Sequence, residues 1–91
     1  MFVLKLQTND LHSALVRLLD QARVAGLKIT AVNAVEGGSG GYEVRATIDE
    51  SDRDALEKLG RRIARTFGVC DIAIYLAARP NAVERSFAVS C

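Results

Sequence analysis

The stretch EGGSGGY, at positions 36–42, holds four of the chain's seven glycines and decides which fold the sequence encodes. Clustered glycines between a strand and a helix form a loop that can close on phosphate, whereas between two strands they form a hairpin turn. Residues 27–36 are rich in isoleucine, threonine and valine, and residues 42–48 alternate apolar and polar side chains. Both patterns are typical of strands. The sequence therefore predicts two strands joined at the glycines.

The glycines also lack the spacing of a phosphate-binding fingerprint. Glu43 stands where a dinucleotide-binding loop would carry its third glycine, and no Gly-Lys-Ser or Gly-Lys-Thr follows. We therefore expect residues 38–40 to do no more than reverse the direction of the chain.

The rest of the chain supplies the partners of this hairpin. Alternation over residues 2–7 predicts a first strand, and apolar residues at helical spacing predict a helix that ends at Gly26. A second helix is predicted between the acidic segment 49–52 and Gly68, followed by a strand over residues 69–76.

This order of elements, βαββαβ, predicts the α+β class and a ferredoxin-like sandwich, in which two helices cover one face of a four-stranded antiparallel sheet. The predicted domain covers residues 1–76. Residues 77–91 are expected to form a C-terminal tail, with an apolar patch at 87–89 that suits either a short extra strand or a docking segment.

The composition of the chain argues against some classes of binding partner. The 91 residues include 12 basic and 11 acidic side chains, for a net charge of +1, so no charge excess draws the chain to nucleic acid or to an anionic membrane. No apolar run approaches the roughly 20 residues of a membrane span. The opening residues lack the cationic start of a secretion signal. We expect no nucleic-acid or membrane partner and a cytoplasmic location.

The chain's two cysteines, Cys70 and Cys91, lie far apart in sequence. Their spacing matches neither a metal site nor a disulfide framework, so free thiols are expected.

Groups that could perform catalysis are scarce. His12 is the single histidine, and its neighbours Asp10 and Ser13 lie within the same helical turn. Side chains in one turn point outward at about 100° per residue and cannot line up as nucleophile, base and orienting acid, so a helix cap is the favoured interpretation. The sequence therefore predicts no catalytic residues, no metal site and no cofactor, and favours binding or assembly.

Three segments carry a resemblance to a known family. Residues 10–15 open the first helix, residues 26–29 open the second strand, and residues 68–74 close the domain with the sequence GVCDIAI. In this pattern the chain resembles an ACT domain over residues 1–76, and most closely the short small (regulatory) subunits of acetolactate synthase. The magnesium-transporter-associated ACT-like domains fit residues 42–46 and 54–56 almost as well.

The resemblance implies a function. It implies a non-catalytic small subunit that binds and regulates the large catalytic subunit of acetolactate synthase in branched-chain amino-acid biosynthesis, with an amino acid as effector. The alternative is a stand-alone, homo-oligomeric sensor of an amino acid or another small ligand, unconnected to that enzyme.

An effector would bind between the start of the first helix and the start of the second strand, where two subunits meet. The helix offers free backbone N–H groups to a carboxylate, and an acidic and a basic side chain complement the two charges of an amino acid. Where the family carries an asparagine and a glycine in this loop, the chain has Asp10 and Ser13. The expected ligand-binding residues are Asn9, Asp10, Leu11, His12, Ser13, Ala14 and Lys28.

Self-association is a separate expectation. Val3, Val32 and Ala34 are predicted on the sheet face that no helix covers, and water disfavours such an exposed apolar surface. The sequence therefore predicts a homodimer or a higher oligomer.

Overall fold

The structure is a computed structural model that describes residues 1–37, 40–49, 52–65 and 68–87, without the side chains of residues 80–82, 84 and 85. The predicted order βαββαβ is confirmed, and a further strand follows it. The elements in chain order are β1 (Phe2–Thr8), α1 (Leu11–Val24), β2 (Lys28–Glu36), β3 (Tyr42–Asp49), α2 (Arg53–Ala64), β4 (Val69–Leu76) and β5 (Arg79–Phe87).

All strand pairs in the sheet are antiparallel, and the strands lie in the order β2-β3-β1-β4-β5. The register places Leu4 of β1 opposite Ala46 of β3 and Ile74 of β4. Directly paired side chains project from the same face, so these three are buried together.

One hydrophobic core lies between this face and the helices. α1 and α2 both cover the face, as the sequence predicts, because each helix has one apolar stripe. The helix residues buried in the core are Ala14, Leu18, Ala22, Leu56, Leu59 and Ile63. In the described ranges, no helix is long and apolar enough to cross a membrane.

The expectation of a four-stranded sheet is wrong, because β5 adds a fifth strand to the edge formed by β4. The register pairs Phe87 with Ile72. Phe87 also packs on Gly60 of α2, where an added Cβ would lie 2.5 Å from Phe87 Cε2. The segment has no clear alternation and contains Pro80, which an edge strand tolerates but a central strand does not.

Cys70 is disulfide-bonded in the structure, which corrects the expectation of a free thiol at this position. Cys91 lies outside the described residues. β5 runs back along β4 and pairs Phe87 with Ile72, so residues far apart in sequence lie close together in this part of the sheet.

Candidate functional site

The loop between β1 and α1, which the sequence predicts as the ligand site, is bonded to the start of β4. The buried Thr8 hydroxyl lies 2.9 Å from the carbonyl oxygen of Gly68, to which it donates, and it accepts a hydrogen bond from the backbone N–H of Asp10 at 3.0 Å. The N–H of Asn9 donates to the same carbonyl at 3.0 Å. These bonds hold the loop as a structural junction.

Asp10 caps α1 with both of its carboxylate oxygens. The backbone N–H of Ser13 donates to Oδ1 at 3.3 Å, and the Ser13 hydroxyl donates to Oδ2 at 2.9 Å. The bond from the Ser13 hydroxyl is the largest cause of a lowered pKa at Asp10, followed by the bond from the Ser13 backbone. Capping of α1 therefore explains the hydrogen bonds that the Asp10 and Ser13 side chains make.

The other predicted residues of this loop divide between core and surface. Leu11 packs against the core and Ala14 is part of it, so neither presents a side chain to a ligand. His12 is exposed on the first turn of α1. Asn9 is exposed as well, and it lines a cavity described below.

Lys28 lies at the opposite end of the sheet from Asp10. Lys28 pairs with Asp49 at one end of β3, whereas Thr8, just before the loop, pairs with Tyr42 at the other. From Tyr42 to Asp49 the strand spans about 24 Å. The two charges predicted to hold an amino acid are therefore not brought together within one chain.

A cavity of about 520 Å³ opens at the loop end of the sheet, between β1 and the β2–β3 hairpin. The hairpin is closed by a hydrogen bond of 2.6 Å from the Gly37 N–H to the Gly41 carbonyl, while Gly38 and Ser39 lie outside the described residues. Asn9 is the one predicted site residue in the lining, and Glu36, Tyr42 and Glu43 are beside it. Local patterns in the sequence did not indicate this cavity, because its walls come from separate strands.

Among strands β1 to β4, the edge strand β2 is the most exposed. Val32 is 41% exposed and Val35 is 55% exposed. Edge strands are commonly protected by charged residues or prolines, but positions 29–35 contain neither, and only a bulge between Ile29 and Ala31 interrupts the strand. The long uncharged edge is therefore open to pairing with another strand.

The predicted placement of apolar residues on the uncovered face is correct for Val3 only. Val32 and Ala34 pair with Ala46 and Val44, which belong to the face that carries the helices. They are exposed because β2 extends past the area that the helices cover, and so they add to the open edge.

Comparison with known proteins identifies a fold but no family. No family model matches the chain, and no curated protein matches it. Among solved structures, the solution structure of the C-terminal domain of the MgtC protein from Mycobacterium tuberculosis is similar, with a TM-score of 0.70 over 81% of this chain and 83% of that one. At 10% sequence identity, this likeness shows the fold alone.

Proposed function

We propose that the chain is a non-catalytic regulatory module of the ACT type, with a ferredoxin-like core, which acts by assembly. The observation that carries the proposal is the open edge of β2, where seven consecutive residues, 29–35, carry no charge. A non-catalytic role agrees with the first turn of α1, where Asp10 and Ser13 are bonded to each other and serve the helix.

The edge is complementary to a second copy of itself. If two β2 strands pair antiparallel about Val32, Lys28 of each copy lies opposite Glu36 of the other, and Ile29 lies opposite Val35. Opposite charges and apolar pairs directly across strands are stabilising. The two sheets then join into one, with the helices of both copies on the same side.

A neighbouring part of α1 would extend this interface. Arg62 of α2 donates a hydrogen bond to the side-chain oxygen of Gln21, which marks the side of α1 that faces the other helix. Leu19 lies two residues earlier, roughly 200° around the helix, and therefore on the side towards β2. It is 48% exposed, an apolar side chain that a second copy would cover.

A charge exchange tests the pairing. We expect the native chain to sediment as a dimer at micromolar concentration. Lys28→Glu or Glu36→Lys alone should raise the dimer dissociation constant about tenfold, because each change places like charges opposite each other at both ends of the interface. The double variant should restore the native value. Lys58→Glu, an equal charge change on α2, is the matched control.

A native chain that stays monomeric would contradict this pairing. So would a double variant no tighter than the single ones, since the charge pairs would then lie elsewhere.

For the larger partner, we propose the catalytic subunit of acetolactate synthase, with a homodimer of this chain bound to it in the cytoplasm. This partner rests on the ACT resemblance of residues 1–76. Co-expression with that subunit should give a complex of higher synthase activity, and the dimer-weakening Lys28→Glu variant should give less of it. A catalytic subunit that neither co-purifies nor changes in activity would contradict the assignment.

The likeness to the MgtC domain supports a second candidate, an accessory domain that serves a different, larger protein. The third candidate function is a stand-alone amino-acid sensor. Purifying the tagged chain from its native cells distinguishes the three candidate functions by the protein that co-purifies: a synthase subunit, another large protein, or none. If no protein co-purifies, adding valine, leucine or isoleucine should change the backbone amide NMR shifts first at residues 9–14 and 28.

A further inference from the structure

The sheet face that carries no helix contains two like charges directly opposite each other. Lys5 of β1 pairs with Arg45 of β3 in the register of the two strands. Like charges in this position repel and destabilise a sheet unless an anion compensates them. The two cations therefore need at least one nearby anion to balance their charge.

Glu43 compensates both cations at once. Its Oε1 lies 3.1 Å from Lys5 Nζ, and its Oε2 lies 3.2 Å from Arg45 Nε. The hydrogen bond from Lys5 is the largest cause of a lowered pKa at Glu43, so this carboxylate stays charged in the neutral range. The Glu43 carboxylate thus bonds to one cation through each of its oxygens. Its single negative charge against the two positive charges of Lys5 and Arg45 leaves a local charge of +1.

None of the described residues bonds to the two terminal nitrogens of the Arg45 guanidinium. Nε is the one nitrogen of Arg45 that bonds to another residue in the part of the chain that the structure describes. The two terminal nitrogens form a planar fork that suits a carboxylate. The arginine is therefore oriented by Glu43 and still able to bind a second anion.

A small pocket lies beside this fork. Its volume is about 120 Å³, and it is lined by Val3, Lys5, Arg45 and Tyr75. This is about the volume of four molecules of liquid water. Val3 and Tyr75 pair across β1 and β4 and form an apolar wall next to the two cations.

We propose that this pocket binds a small organic carboxylate with a short apolar group. The carboxylate bonds to the terminal nitrogens of Arg45 and to Lys5 Nζ, and the apolar group lies against Val3 and the ring of Tyr75. A polyanion such as nucleic acid is disfavoured, because Asp71 and Glu43 lie on the same face beyond the cations.

The pocket does not depend on the proposed dimer. Its residues belong to β1, β3 and β4, whereas the dimer would form along β2. The two proposals can therefore fail separately, and the binding experiment can be repeated on the Lys28→Glu variant.

The test follows backbone amide shifts while 3-methylbutanoate is added at constant ionic strength. We expect saturable shifts centred on residues 3–5, 45 and 75. The uncharged analogue 3-methylbutanamide and an equal concentration of sodium chloride should produce none of them. Equal shifts with the amide or with chloride would overturn the proposal, as would shifts that cluster at residues 9–14.

Two matched variants complete the test. Arg45→Gln should raise the dissociation constant of 3-methylbutanoate at least about tenfold, because it removes a charge-assisted bond. Arg23→Gln, which removes a more exposed arginine that is likewise paired with a carboxylate, Asp20 on α1, should leave it unchanged. An unaltered constant in a folded Arg45→Gln protein, judged by its native amide spectrum, would place the ligand elsewhere.

Discussion

At the scale of single residues, the start of α1 shows how an apparent ligand site is used by the fold itself. Asp10 and Ser13 have the charge and the hydroxyl that could meet a ligand, but they bond to each other. Thr8 ties the same loop to Gly68 of the loop before β4. The sequence predicts this cap correctly, because capping depends on residues only three positions apart.

The lowered pKa of Asp10 gives a prediction at this scale. A carboxyl whose pKa is lower in the folded state stabilises the protein above its unfolded-state pKa, and that contribution is lost as pH falls through the folded-state pKa. Ser13→Ala should raise the Asp10 pKa towards its ordinary value, because it removes the largest cause of the shift. Carboxyl carbon shifts followed by NMR between about pH 6 and about pH 2 measure this.

His12→Gln is the control, since the charge of His12 is the smallest of the causes that lower this pKa. A larger rise in His12→Gln than in Ser13→Ala would mean that charge, and not the cap, holds Asp10 ionised.

At the scale of elements, β5 is held by a contact that one glycine permits. Gly60 lies inside α2, where glycine is a poor helix former by about 1 kcal/mol relative to alanine. Its missing side chain leaves the space that the Phe87 ring occupies. A residue that is locally unfavourable in a helix thus allows a strand to dock on that helix.

We predict that Gly60→Ala weakens β5 without weakening α2. The added Cβ would lie 2.5 Å from Phe87 Cε2, so the ring must move, while alanine favours the helix. Hydrogen exchange should accelerate at the amides of β5 that bond to β4 and stay slow in α2. The pair Gly60→Ala with Phe87→Leu, which shortens the ring side chain, should recover part of the protection. Unchanged exchange in β5 would show that Phe87 does not anchor the strand.

At the scale of the whole molecule, stability rests on one core that both helices and the central strands share. Leu18 of α1 is fully buried in that core, whereas Val16 is 68% exposed on the same helix. Both are apolar, and the sequence pattern separates them through their spacing alone.

Leu18→Ala should lower the free energy of unfolding by about 2–5 kcal/mol, because it removes buried methyl groups and leaves a cavity. Val16→Ala should change it by less than about 0.5 kcal/mol. Urea denaturation at one fixed protein concentration measures both, since self-association would make stability depend on concentration. Equal effects of the two changes would contradict the placement of α1 on the sheet.

The candidate site could be predicted from the sequence only in part. The sequence predicts the ligand loop and its cap, but it also places Lys28 at a site that this residue cannot reach within one chain. β1, α1 and β2 form a crossover between parallel strands, so β2 must begin at the same end of the sheet as β1, away from Asp10. This conclusion requires the path of the chain through the sheet and not the residue types alone.

The sequence by itself determined the order of the first six elements, the hairpin at the glycines and the apolar faces of β1, β3, α1 and α2, because turn chemistry and hydrophobic period act between residues close in the chain. The tertiary structure alone decided that β5 joins the sheet, that Cys70 is disulfide-bonded, and that Lys5 meets Arg45 beside Tyr75. These features depend on strand register. Register is set by packing between residues far apart in sequence, which no local pattern records.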